Sequence, residues 1–423
     1  MERRLPLAGW LLSGSVLAAL GSGFFHLSPR PAGLLQLAAA VLLFDRVSPR
    51  VRCLSLLLAV TGGFALLATA ADLTSVLDAF CKNQPMIAML AAVGTLRLVP
   101  LPANAAALSE GRRAIWQTLF GVHWFGSIAN LSAIVLFGDR MAGTASRLEP
   151  AQARVLARGF GLAALWSPFF VAMGVALAEA PGAQLTPLLF WGLPLSQLLM
   201  ALMAWQMQRS LNAGQLAFAG YPFSPATLGG PLLLAVTVFV AHLLAPSLSI
   251  VSLVSLAAPA YACLVCRKLE SLGRLAEYIR RDLPRMGPEV LLFMGAGVLG
   301  TGITALVHRY ALTFPTTSSG ALSAALGLAM IILLASAGIH PIVGITAVGS
   351  VLGHIGIRPD LLALSFLMGW GLGVIISPIS GTNLLLAGRY NIPVARVWRG
   401  NAAFTSSAYL LCCGWLFLFD FFT

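Results

Sequence analysis

The segment Gly159-Phe-Gly161-Leu162-Ala-Ala-Leu-Trp-Ser167-Pro168 recurs 210 residues later as Gly369-Trp-Gly371-Leu372-Gly-Val-Ile-Ile-Ser377-Pro378. Each copy lies inside an apolar run long enough to cross a bilayer. Proline lacks the helical N–H and clashes with the preceding turn, so each Ser-Pro ends a helix where hydrocarbon surroundings demand that it continue. Backbone opened at that depth survives only where protein or a water-filled cavity covers it. One such break is commonly a kink. Two, at corresponding places in one chain, call for an architecture that uses both.

Composition fixes the solvent. Apolar residues make up 58% and charged residues 9% of the 423 positions, whereas soluble domains carry about 25% charged residues. The chain reads as an all-α polytopic membrane protein, which excludes soluble enzymes and nucleic-acid binders. The net charge of +12 comes mainly from arginines placed between apolar runs. Hydropathy predicts spans near 6–25, 31–45, 52–71, 85–101, 155–178, 185–207, 228–245, 248–266, 288–307, 360–388 and 401–421, eleven in all. Met-Glu-Arg-Arg before the first run imitates a signal peptide, but no convincing cleavage site follows, so a first membrane helix is expected.

Two further apolar stretches, 114–138 and 317–354, are expected to be re-entrant hairpins. The first has the polar middle Gly126-Ser127-Ile-Ala-Asn130-Leu-Ser132; the second is interrupted by Ser336-Ala-Gly338-Ile-His340-Pro341. With the N-terminus in the cytoplasm and the C-terminus outside, this layout puts 22 of the 26 basic residues on the cytoplasmic side. Only Arg30, Lys82, Arg309 and Arg358 are left outside. Residues 267–281 carry Leu269, Leu272, Leu275 and Ile279 at helical spacing among basic residues and should lie along the interface, with 72–84 as a shorter counterpart. Cys263 and Cys266 have metal or redox spacing, but without a second pair or a nearby histidine they read as packed thiols, and no metal site is expected.

Gly121-Val-His123 in the first hairpin matches Gly338-Ile-His340 in the second. Each half therefore runs two spans, an interfacial segment, a span, a hairpin, a broken span and a last span. After an extra helix at 1–27, the first half covers 28–210, a connecting loop 211–227, and the second half 228–423. Starting on opposite sides of the membrane, the halves form two inverted-topology repeats, the arrangement of secondary transporters with a midplane site. At each break freed carbonyls suit a cation and half-helix N–H groups suit an anion. Neither hairpin holds a carboxylate: no Asp or Glu occurs between Glu110 and Asp139 or between Glu289 and Asp360. That disfavours proton carriage by a buried acid and favours an anionic cargo. It leaves His123 and His340 as the candidate proton-titrating groups.

These residues resemble the ion transporter superfamily, which includes divalent-anion/sodium symporters, arsenite permeases and the large membrane subunits of TRAP dicarboxylate transporters. The likeness is clearest over 288–421, at Glu289-Val-Leu-Leu-Phe-Met-Gly-Ala-Gly, Gly338-Ile-His340-Pro341 and Gly371 to Gly381. The resemblance implies hairpin tips and broken helices that enclose substrate and coupling ion and move as an elevator. Ser380-Gly381-Thr382-Asn383 and Ser127-Ile-Ala-Asn130 are similar to the Ser-Asn-Thr motifs that bind carboxylate and sodium in the symporter branch. The substrate-binding candidates are thus Ser127, Asn130, Ser167, His340, Ser377, Ser380, Thr382 and Asn383. The coupling-ion candidates are Ser132, Pro168, Ser336, Gly338, Pro378 and Gly381, with sodium as the ion and no other cofactor. The expected function is sodium-coupled transport of a small carboxylate or sulfonate by a homodimer in a bacterial inner membrane. The alternatives are a metalloid efflux permease, a TRAP subunit working with a periplasmic binding protein, and an intramembrane enzyme or scaffold. No catalytic motif supports the enzyme.

Overall fold

In a computed structural model of the chain the described residues are 4–99, 107–143, 147–215, 217–221, 229–266, 270–311 and 319–423. The first helices are α1 (Arg4–Phe25), α2 (Arg30–Leu43), α3 (Pro49–Ala68), α4 (Leu73–Cys81) and α5 (Gln84–Val93). They are followed by α6 (Gly111–Ala129), α7 (Ser132–Ala142), α8 (Pro150–Ala163), α9 (Val171–Glu179) and α10 (Leu185–Asn212). The second half holds α11 (Gly229–Leu244), α12 (Ile250–Val265), α13 (Glu270–Glu277), α14 (Gly287–Arg309) and α15 (Gly320–Ser336). It ends with α16 (Pro341–Leu352), α17 (Pro359–Ile376), α18 (Gly381–Tyr390) and α19 (Val394–Phe422). A two-residue antiparallel pair joins β1 (Ser109–Glu110) to β2 (Ala219–Gly220). The chain divides into two compact units, 1–100 with 232–314, and 101–231 with 315–423.

Among the described residues six stretches are long and apolar enough to cross a membrane: Arg4–Phe25, Pro49–Ala68, Leu185–Asn212, Gly273–Arg309, Pro359–Tyr390 and Val394–Phe422. Apolar side chains also face outward. α11 buries only Leu234 and Val238 and exposes its other large aliphatic side chains and Phe239. Such a surface is stable in lipid and not in water, and the chain is an integral membrane protein.

In the first unit α1 packs on α2, α3 runs along α14, and α5 lies on α12. Gly62 and Gly302 let α3 and α14 approach closely: a Cβ at Gly302 would fall 2.4 Å from the Gly62 carbonyl oxygen. The helix expected over 85–101 is shorter. α5 stops at Val93 and a 3-10 helix covers Gly94–Leu98. Ten residues of α-helix rise about 15 Å, half the hydrocarbon thickness. At this boundary the Tyr278 hydroxyl donates to the Ala91 carbonyl at 2.9 Å and would collide with any Cβ at position 94. The amphipathic segment forms α13 and continues through a π turn into α14, with Tyr278 and Ile279 buried and Arg280 and Arg281 exposed. Leu269 lies outside the described residues.

α4 occupies the expected counterpart segment. Asp72 caps it, accepting from the Ser75 N–H at 2.9 Å and from the Ser75 and Thr74 hydroxyls at 2.5 Å. The Ser75 and Thr74 bonds hold its carboxyl well below the usual range, at about 2. Arg30 grips Asp78 through Nε at 2.8 Å and Nη2 at 3.0 Å, which raises the guanidinium's proton affinity and lowers the carboxyl's.

The second unit holds both hairpins and both broken helices. α6 and α7 turn at Asn130, with φ of 55°, and α15 and α16 turn near Gly338, with φ of 90°. These ranges widen the first expected hairpin slightly; positions 317 and 318 of the second lie outside the described residues, as do 216 and 222–227 of the connecting loop. The first broken helix is α8 and α9, the second α17 and α18. α17 is buried at every residue from Leu361 to Ile376. Within this unit α6 packs on α8 and α15 on α17, while α8 meets α19 and α17 meets α10. Each of those pairings is the other's counterpart when the sequence halves are exchanged, as are α3 with α14 and α5 with α12 in the first unit.

Candidate functional site

The duplicated motifs meet each other. α8 and α17 cross where Gly161 faces Gly371: a Cβ on Gly161 would lie 3.1 Å from the Gly371 carbonyl oxygen, and one on Gly371 would lie 2.9 Å from that of Gly161. Leu165 packs over Gly371 and Ile375, its counterpart 210 residues on, packs over Gly161. This contact lies six residues before each break. Both use the same local device, a serine hydroxyl accepting from the N–H two residues later: Phe169 to Ser167 at 3.1 Å and Ile379 to Ser377 at 3.4 Å.

Beyond that device the breaks differ. At the first, the Ser167 hydroxyl donates to the Ser127 carbonyl of the hairpin, and the Ser127 hydroxyl turns back to Trp124 at 2.8 Å. Phe169 and Phe170 fill the space after Pro168, with Phe160 and Phe170 ring centres 4.9 Å apart. Asn130 spends its side-chain oxygen on the Leu131 N–H at 2.8 Å. The Ser132 hydroxyl oxygen is buried without a partner.

At the second break Ser380 caps α18, its hydroxyl accepting from Asn383 N–H at 3.2 Å. The Asn383 amide nitrogen reaches back to the carbonyls of Ser377 at 2.8 Å, Ile375 at 3.1 Å and Val374 at 3.4 Å. Asn401 of α19 donates to Ile375 as well, at 3.0 Å. The carbonyls freed by Pro378 are therefore engaged by amide donors. Since a carbonyl only accepts, the Asn383 amide must present nitrogen to this cluster. Its oxygen then points away, buried and without a partner, and the adjacent Thr382 hydroxyl oxygen is in the same state. Both hairpin tips come to this break. Leu131 lies 3.8 Å from where a Cβ would stand on Gly381, and Pro378 stands 3.8 Å from the same point on Gly338. Ser336 instead bonds its own helix at Leu333, 2.8 Å away.

The two histidines also diverge. His123 Nδ1 lies 3.0 Å from the Gly159 carbonyl, so it carries the proton, and Nε2 accepts from the Trp166 indole N–H at 3.0 Å. Gln197 approaches Nε2 at 3.2 Å. An indole nitrogen only donates, so a second proton on His123 would meet it head on. His123 works here as a neutral clamp between hairpin, broken helix and α10. His340 caps α16, Nδ1 accepting from Ile342 N–H at 3.3 Å, and its ring stands edge-on to Trp370 at 5.5 Å. That assigns the proton to Nε2, a donor facing away from α16.

Three side chains were not legible as site residues. Glu179, in the second half of the first broken helix, is buried and accepts from the Thr346 hydroxyl of the second hairpin at 3.2 Å. Residues 114–138 and 317–354 themselves lack acids, but α7 extends past the expected bound to include Asp139, and Glu179 brings a second carboxylate to the other hairpin from outside. Its signal was a lone acid at the end of an apolar run. Arg158, counted with the basic flanks, is buried. Arg389, two residues before Asn391, makes a two-pronged bridge to Asp139 of the first hairpin at 2.8 and 2.7 Å, joined by the Tyr390 hydroxyl at 2.8 Å.

No family model matches the chain, and no curated protein matches it. Among solved structures it is similar to the YdaH transporter of Alcanivorax borkumensis, described as having an unusual topology. The identity is 15%, the TM-score 0.39, and the match covers 86% of this chain and 83% of that one.

Proposed function

We propose that the chain is a secondary transporter of a small organic anion, a carboxylate or sulfonate, built from two inverted-topology repeats. The second unit carries every candidate residue and acts as the moving body of an elevator-type cycle. The observation that carries this reading is the second break. There, two adjacent buried polar groups, Thr382 Oγ1 and Asn383 Oδ1, have no protein partner, and both hairpin tips abut the same turn. Buried polar atoms are normally satisfied, so unspent ones beside a helix start are suited to a ligand. The start of α18 offers N–H groups to an anion and His340 offers a further donor. Asn383 Oδ1 and Thr382 Oγ1 are oxygen ligands of the kind a sodium ion uses. With the carbonyls of residues 374, 375 and 377 already engaged, these side-chain oxygens are the better sodium candidates.

The remaining expectations, a homodimer in a bacterial inner membrane with the N-terminus inside, belong to the same proposal. Proteoliposome uptake of succinate, taurine and related anions, driven separately by sodium and proton gradients, tests it. Sodium-driven uptake abolished in Thr382→Val is the expected result. Proton-driven uptake that is lost in His340→Gln would replace sodium by His340 as the coupling element, and no uptake of any anion would remove the transport reading.

A further inference from the structure

Arg158 lies on α8, nine residues before the first break, and is 4% exposed. Its Nε donates to Asn401 Oδ1 at 2.8 Å, its Nη2 donates to the Gly400 carbonyl at 2.7 Å, and its guanidinium stacks 4.5 Å from the centre of the Phe404 ring. These contacts fix the fork and leave Nη1 without a partner among the described residues. The charge that presses on it is another cation, Arg154, one turn earlier. The Arg154 stem passes the same glycine, its Cδ 3.2 Å from where a Cβ on Gly400 would stand. Among the described residues no carboxylate pairs with either arginine.

Charges taken out of water are ordinarily paired, because the desolvation cost is recovered only through an opposite charge and well-made hydrogen bonds. Here two cations share one stretch of backbone with nothing of opposite sign. Helix packing does not require them. The counterparts 210 residues on are Leu364 and Met368, both fully buried, and α17 makes the equivalent crossing with apolar side chains. The remaining Nη1 of Arg158 together with the guanidinium of Arg154 suits the oxygens of an oxyanion better than any other partner.

We propose that Arg154 and Arg158 form a binding site for the oxyanion group, carboxylate, phosphate or sulfonate, of a small solute or of a lipid headgroup. The inference goes beyond the transport reading and does not require it. The site is separate from the candidate residues at the second break, although Asn401 touches both, accepting from Arg158 and donating to Ile375.

The test is thermal unfolding of the full chain in two settings. In detergent, sodium chloride is exchanged at constant ionic strength for sodium phosphate or sodium sulfate. In nanodiscs, phosphatidylcholine is compared with the same lipid containing phosphatidylglycerol. The midpoint of the wild type is expected to rise in one setting, and that setting names the source. Sulfate and phosphate also stabilise folded proteins by exclusion from their surfaces, and that part of the rise persists in any variant. The site-specific part is expected to vanish in Arg158→Gln and in Arg154→Gln. Should Arg158→Gln not fold, Arg154→Gln alone decides, because its side chain is only half-buried and holds no partner among the described residues. A rise of equal size in wild type and Arg154→Gln, or none in either setting, overturns the proposal.

Discussion

The two breaks start from one motif and end in different states. At Ser167-Pro168 most of the candidate groups are occupied by protein: Ser167 holds Ser127, Asn130 holds Leu131, and His123 holds Gly159 and Trp166, with the Ser132 hydroxyl oxygen the group left over. Aromatic rings take the remaining space. At Ser377-Pro378 the scaffold is equally well made, through Ser380 and Asn383, but two polar groups are left over. A duplicated element can thus divide its duties, one copy supplying rigidity and the other an unsatisfied surface. A ligand is recognised by the second kind, since groups already bonded have little left to offer.

The comparison is broken most severely by removing Asn383. In Asn383→Ala the carbonyls of Val374 and Ser377 lose their side-chain donor, each buried loss costing about 1–3 kcal/mol. Folded yield and uptake should both collapse. Asn383→Asp should be no better, because it turns a carboxylate toward three carbonyls. Retention of normal yield in Asn383→Ala, measured by size-exclusion chromatography, would mean that the second break is not held by this amide.

A smaller but more telling effect is expected at Thr382. Its hydroxyl oxygen is buried without a partner, so the near-isosteric Thr382→Val should leave the unfolding midpoint unchanged or raise it by the equivalent of about 1 kcal/mol, while uptake falls by an order of magnitude or more. Parallel losses would return Thr382 to packing.

The histidines sharpen the contrast. His123→Phe removes three bonds that tie hairpin, broken helix and α10 together, and should destabilise by about 2–4 kcal/mol. His340→Phe removes one weak cap and should cost about 1 kcal/mol or less while lowering uptake. Equal effects on the two quantities at both sites would erase the assigned division.

The smallest effect lies outside both breaks. The Asp72 carboxyl is held at about 2 by the caps at the start of α4, below its unfolded value of about 3.9. A lowered carboxyl contributes stability that is complete above the unfolded value and is lost as pH falls through the folded one. Wild type should therefore lose more stability than Asp72→Asn between about pH 4 and pH 2, and the two curves should run parallel above pH 5. A constant gap across that window would remove the cap's role.

The sequence made the punctuation of the fold legible and its bonding obscure. Ser167-Pro168, Ser377-Pro378, Asn130 and Gly338 mark turns because proline and positive φ impose local geometry that no partner can override. The Tyr278 hydroxyl at the end of α5 was hidden because it comes from nearly 190 residues away. The burial of Arg158 was hidden for a similar reason. Long cationic side chains at the edge of an apolar run usually snorkel to the interface, whereas Gly400, Asn401 and Phe404 hold this one in. Glu179 was hidden because it lies outside both hairpins in sequence and reaches Thr346 only through the packing of α9 on α16. The spacing of Ser380 and Asn383 named the right residues, but which amide atom faced which neighbour required three dimensions.

The glycine crossing carries an evolutionary consequence. Gly161 and Gly371 descend, on the duplicated reading, from a single ancestral position that now touches its own copy. A side chain gained by either one runs into the backbone of the other, so neither can drift first and wait for compensation by its twin. The pair is held in lockstep, and this point should change last as the two halves of the chain diverge. Among distant descendants of the same duplication it should outlast the serines, histidines and arginines around it, a footprint readable even after most other likeness between the halves has gone.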